Sequence, residues 1–170
     1  KDKDQAHKLN QHIRELYRKE GLLVAAHLDI SYRCDLNCVH CYLDDKKTWP
    51  ETNTKTWKSI ISQLYELKTR ELTWSGGEVF ARPDFVELLE HAASLGFESR
   101  VKTHAGNLSE ELVQTLVRNQ VTNIDVSIYS LDPEIHDEIT TVAGSLERSL
   151  AGIRLALAAD ITVKVAMTIL

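Results

Sequence analysis

"YRCDLNCVHCYLDD", residues 32–45, holds all three cysteines of this chain, Cys34, Cys38 and Cys41, and none occurs elsewhere in its 170 residues. The stretch follows "LLVAAHLDI" (22–30), an apolar run that reads as a buried strand, so the thiols belong to a loop leaving the carboxyl end of a strand. Thiolates are soft, charged ligands that suit zinc or iron–sulfur clusters, and a CxxxCxxC spacing gathers three of them around one centre without a large loop-closure cost. Three arrangements are open to them. One is a four-coordinate zinc site completed by His40 or His27. Another is three unliganded core cysteines, against which the polar neighbours "DLN" and "DD" speak. The third is a four-iron cluster held through three of its irons, with the fourth left open to a substrate or cofactor.

Composition sets the frame for that choice. A chain of 170 residues, 43% hydrophobic and 26% charged, is long enough to build a core without metal or disulfide staples, so the cysteine cluster is expected to serve a function. An odd number of closely spaced cysteines suits a reducing compartment and metal ligation better than a disulfide framework, and the chain reads as cytoplasmic. A net charge of −5 with no basic cluster argues against a nucleic-acid surface. No apolar run approaches the ~20 residues of a membrane span, and the polar start "KDKDQAHKLNQ" is not a signal peptide.

Outward from the loop, apolar strands alternate with amphipathic helices. Residues 1–21 form a leading helical segment, with Leu9, Ile13, Leu16 and Tyr17 at helical spacing. Trp57, Ile60, Ile61, Leu64 and Leu67 mark a helix face, "ELTWS" (71–75) a strand, and "PDFVELLEHAASLG" (83–96) a helix with Pro83 in its first turn and Gly96 at its end. "FESRVKT" reads as strand, "SEELVQTLVRN" as a helix capped by Ser109, and "VTNIDVSIY" as strand. A short helix at "PEIHDEI" precedes a longer one from Ser145, on which Leu146, Leu150, Ile153 and Leu157 share a face, and "ITVKVAMTIL" is the last strand. Strands separated by helices imply βαβ units and a parallel sheet. Ligands of such folds gather beyond the carboxyl ends of the strands, where the cysteine loop, "SGGE" (75–78), "THAGN" (103–107) and "SIYSLD" (127–132) would converge. On the fourth strand, Ile124, Val126 and Ile128 should face helices, and Asp125, Ser127 and Tyr129 the interior. Lys164 falls on the same inward side of the last strand, where a solvated or paired role is expected of it.

"CDLNCVHC" after the first strand and "SGGE" after the second, in that order, resemble the radical S-adenosylmethionine (radical SAM) superfamily. The resemblance covers about residues 22–170 and implies an α/β fold, a partial (β/α) barrel with about five of six βα units present, so that the chain is expected to be incomplete at its C-terminal end. It further implies a [4Fe-4S] cluster on Cys34, Cys38 and Cys41, with S-adenosylmethionine (SAM) chelating the open iron. Reductive cleavage of SAM would yield a 5′-deoxyadenosyl radical that abstracts hydrogen from a substrate. By the same resemblance Gly76 and Gly77 admit the methionine moiety, Glu78 accepts from its ammonium, Thr103 lies near its carboxylate, Ser127 contacts SAM, and His40 lies against the adenine. His104 and Asn107 are neighbours of this set. "YSLDPEIHDEIT" with Gly144 and Ser145 looks like the corresponding segment of peptide- and protein-modifying, SPASM-type members. Thr140 and Thr141 stand where such members often carry an Arg that reaches SAM, and His136 and Asp137 are expected to organise a helix. A peptide or protein substrate and a flavodoxin- or ferredoxin-type electron donor follow as partners. Cofactor biosynthesis of the haem or pyrroloquinoline-quinone kind is the alternative within this chemistry, and a non-catalytic metal-binding module the alternative outside it.

Overall fold

Five stretches that alternate apolar with polar residues lie side by side as one parallel sheet in the order β1-β2-β3-β4-β5. The strands are β1 (Ala25–Ser31), β2 (Glu71–Gly76), β3 (Glu98–Thr103), β4 (Val121–Ser127) and β5 (Thr162–Ala166), in a computed structural model that describes residues 2–43 and 48–168. Asp44 and Asp45, part of the polar surroundings read for the cysteines, lie outside the described residues. Between the strands run α2 (Thr54–Glu66), α3 (Phe85–Ser94), α4 (Glu110–Arg118), α5 (Pro133–Thr140) and α6 (Ser145–Ala158), preceded by α1 (Asp2–Lys19). Alternate strand residues explain the layering: Leu28, Ile30, Leu72, Trp74, Val101, Ile124 and Val126 are buried against the helices. The opposite face of the sheet is polar.

Several element ends depart from the sequence reading for local reasons. β1 begins at Ala25 rather than Leu22, because Leu22 N–H donates to Tyr17 O and Gly21, at φ +66°, closes α1. Pro83 precedes the N-cap Asp84 of α3 instead of entering its first turn, and the Asp84 carboxylate is engaged by Arg82 and by Thr54 Oγ1. Gly96, at φ +85°, ends that helix, and Ser109 caps α4 by accepting from Leu112 N–H at 3.2 Å. Leu67 and Leu157 do not join the buried faces assigned to them; they are 58% and 54% exposed. Gly152 and Ala156 take the inner side of α6, and a Cβ on Gly152 would fall 2.0 Å from Ala105 O, so the helix packs directly on the loop after β3. α1 is tethered at the amino ends of the strands by Arg14 to Glu71 and by Tyr17 Oη to Lys68 O. Leu9 and Leu16 on that helix stay exposed.

Candidate active site

The three cysteines follow β1 in a loop that makes no regular structure of its own, so its shape must come from bonds to its surroundings. At its root Glu51 accepts from Ser31 Oγ (2.7 Å) and Tyr32 N–H (2.9 Å) and pairs with Arg33 Nε (3.1 Å). Burial pushes the Glu51 carboxyl up, but those hydrogen bonds and the two nearby arginines hold it below its ordinary value. The folded-state value being depressed, this support is complete above the ordinary carboxylate range and is lost as pH falls below that range through the depressed folded value. Further along, Asn37 N–H and Val39 N–H donate to Thr140 O and Ile139 O, the free carbonyls of the last turn of α5, and Thr141 Oγ1 donates to Asn37 O. Thr140 and Thr141 therefore carry the cysteine loop. Asp137 accepts from Ser145 Oγ and Leu146 N–H at the start of α6, and His136 Nδ1 accepts from Tyr129 N–H.

Gly76 and Gly77 carry a packing task besides the one expected of them. A Cβ on Gly76 would lie 2.2 Å from Ser31 O and one on Gly77 2.2 Å from Arg33 O. The pair makes room for the backbone of the cysteine loop, to which Gly77 N–H and Glu78 N–H donate through Ser31 O (2.8 Å) and Arg33 O (2.6 Å). Gly77→Ala should therefore destabilise the protein by about 1–3 kcal/mol even with no ligand bound, read by urea unfolding of the metal-free chain. Unchanged stability would return the glycine to the role of clearing space for a ligand.

Glu78 is wholly buried and its carboxylate does not line the cavity. One oxygen accepts from Phe80 N–H (3.1 Å); the other from Thr103 Oγ1 (2.7 Å) and His104 N–H (3.0 Å) and faces His104 Nε2 (3.1 Å). Burial pushes this carboxyl up, against the pull of His104 and the hydrogen bonds. His104 Nδ1 accepts from Gly106 N–H, so Nε2 carries the hydrogen shared between Glu78 and Asp35, the latter at 2.8 Å. Thr103, in register with Val126 on the helix side of the sheet, spends its hydroxyl on Glu78 and Ala105 N–H. Asp35, Glu51 and the carbonyls of α5 were invisible as site elements in the sequence. Only the polar spacing of "THAGN" pointed at His104.

The cysteine loop, the ends of β2 to β5 and Tyr129 enclose a cavity of about 610 Å³. Cys34, Cys38, Cys41, His40, Gly76, Gly77 and Ser127 border it. His40 packs edge-on to Tyr129 with centroids 4.7 Å apart, and its Nδ1 is buried without a hydrogen-bond partner. Tyr129 stacks on His136, with its hydroxyl near Ser127 and Cys38. Burial and the neighbouring Cys38 push the Tyr129 hydroxyl up to about 12. The Cys34 thiol is pushed up to about 11 by burial, while its sulfur accepts from Leu36 N–H at 3.4 Å. A bound cation reverses that penalty, since a coordinating thiol is deprotonated outright.

Ligands of a single zinc ion lie about 3.8 Å apart, from Zn–S bonds of ~2.3 Å in a tetrahedron. Among the described residues, the group of three metal-ligand side chains lying within 4.8 Å of one another is Cys34, Asp35 and His104; the three cysteines, with His40 or His27, do not form one. His27 instead bonds Asp29 on β1. Three thiols around a cavity, too spread for one ion, suit a larger polynuclear centre. Among the described residues no helix is long and apolar enough to cross a membrane.

Comparison with known proteins agrees with this geometry. The chain is 30% identical over 132 residues to the PqqA peptide cyclase of Rhodopseudomonas palustris, an overlap of 76% of this chain and 35% of that protein. It is 31% identical over 143 residues to the AdoMet-dependent heme synthase of Methanosarcina barkeri, covering 83% of this chain and 41% of that protein. It thus spans about a third to two fifths of the length of these relatives. Among solved structures, Streptococcus suis SuiB bound to its precursor peptide SuiA shares the fold with a TM-score of 0.74 at 18% identity, over 97% of this chain and 38% of that chain. The family model of the radical SAM superfamily matches residues 28–170, from the buried part of β1 through the cysteine loop and every later strand, and the chain belongs to that superfamily.

Proposed function

We propose that this chain is the core of a radical SAM enzyme that modifies a peptide, with a [4Fe-4S] cluster on Cys34, Cys38 and Cys41 and SAM in the cavity beneath them. The observation that carries the reading is the set of three thiols bordering a cavity of about 610 Å³ at the carboxyl ends of the strands, without a fourth cysteine to close the set. Bound there, cluster and SAM supply a one-electron reductive cleavage that delivers a 5′-deoxyadenosyl radical to a substrate C–H bond. The chain's own residues hold and shield. Gly76 and Gly77 anchor the cysteine loop to β2; Glu78 and Thr103 brace it from behind; Ser127 and the unpartnered His40 Nδ1 present polar atoms to the cavity for SAM. The peptide substrate is supported by the similarity to PqqA peptide cyclase and by the fold shared with SuiB. A flavodoxin- or ferredoxin-type protein is the electron donor in this reading. The similarity to a heme synthase favours the second reading, in which the same core acts on a tetrapyrrole.

Anaerobic reconstitution with iron and sulfide should give a brown protein with about four irons per chain. It should form 5′-deoxyadenosine from SAM on reduction. Stoichiometric zinc with no iron–sulfur absorption would overturn the reading, leaving a metal-binding module.

A further inference from the structure

Below the rim of the cavity the sheet carries charge that the cysteines, glycines and Glu78 leave unexplained. Lys102, Asp125 and Lys164 are cross-strand partners on β3, β4 and β5, and all three border the cavity. They lie two residues, about 6.6 Å of strand, below the level of Ser127 and its partner Ala166, away from the cysteine loop. The next row down is Arg100, Asn123 and Thr162. Across β3 to β5 these two rows offer three cations against one anion; the same face of the sheet also carries Asp29 on β1, and Glu71 and Glu98 at its lower end, Glu71 being paired with Arg14.

Among the described residues neither Lys102 nor Lys164 enters an ion pair, although both flank an aspartate. Asp125 Oδ1 is buried and has no hydrogen-bond partner. An acceptor left so costs about 1–3 kcal/mol unless something bound supplies a donor. The lysine backbones stand two strand spacings apart, about 10 Å, and side chains of that length converge on a group placed between them.

We propose that Lys102 and Lys164 form a subsite for a substrate carboxylate, with Asp125 accepting an N–H from the same segment. The ligand class is an acidic peptide segment, a Glu or Asp side chain with its neighbouring amide. This rests on the peptide-modifying reading above; a small free acid is the other source of the same chemistry. The row lies two residues below Ser127, which serves SAM in the proposed function, within the same cavity.

The test uses the reconstituted full-length holoenzyme and three probes: a 12-residue peptide with Glu at alternate positions, its Gln counterpart, and glutarate. The Glu peptide should bind about tenfold or more tighter than the Gln peptide, the difference made by a charge-assisted contact. Lys102→Met with Lys164→Met, which keeps the apolar stems, should erase that preference while SAM affinity stays within about twofold. Glutarate binding that depends on the lysines, with neither peptide bound, keeps the subsite and removes the peptide reading. Equal affinity for both peptides, a preference that survives the double substitution, or no binding of either acid at millimolar concentration overturns the subsite. Loss of SAM binding in the double variant also overturns it, by assigning the row to the cofactor.

Discussion

Alanine at Cys34, Cys38 or Cys41 should abolish iron–sulfur absorption after reconstitution and with it the formation of 5′-deoxyadenosine from SAM. Each thiol borders the same cavity, and these 170 residues hold no other cysteine to replace a lost ligand. Two thiolates leave too few bonds to hold a four-iron cluster against chelation by water and free thiol. The fold should survive the change. The loop backbone is held through Asn37 and Val39 on α5 and through Ser31 and Arg33 on Gly77 and Glu78, none of which uses a sulfur; Cys34→Ala also removes the long 3.4 Å bond from Leu36 N–H to Cys34 Sγ. Circular dichroism and thermal unfolding of the metal-free variants should therefore match the parent, which separates loss of a ligand from loss of structure. Full iron content in any one variant would remove that cysteine from the ligand set.

Glu78→Ala should cost about 3–5 kcal/mol of stability, the scale of breaking a buried, hydrogen-bonded charged group. The substitution strands Thr103 Oγ1, His104 N–H and Phe80 N–H without acceptors and frees His104 Nε2 on one side. Read from the sequence alone, this change would weaken SAM binding and leave cluster content intact. The structure adds a second expectation: because Glu78 joins the end of β2 to the loop after β3, and His104 passes the contact on to Asp35 beside Cys34, iron retention should fall with stability. Glu78→Gln, whose carbonyl oxygen can still accept, should lose less. Urea unfolding of the metal-free protein, with iron content after reconstitution, measures both effects. Normal stability with lost SAM affinity would restore Glu78 as a direct ligand of the methionine ammonium.

The sequence determined the elements and the chemistry-bearing types. Period-two apolar runs such as Ile124, Val126 and Ile128 need a buried face, so strands and their inward side could be read locally. Helix ends marked by Ser109 and Gly96 were legible because capping is a matter of a few neighbouring residues. The CxxxCxxC loop and the Gly-Gly-Glu turn were legible as types, since soft ligands and glycines are rare without cause. Tertiary structure decided what those residues do. Gly77 is small because Arg33 passes over it, Thr103 turns to Glu78 because its register puts it on the helix side, and the cysteine loop hangs on α5 across about a hundred residues of chain. Such roles depend on which distant backbone approaches. That follows from how the five strands order themselves and where each helix lands, and no local pattern carries it. The Lys102–Asp125–Lys164 row is the same kind of fact: three isolated charges in the sequence become one surface only when parallel pairing sets their register.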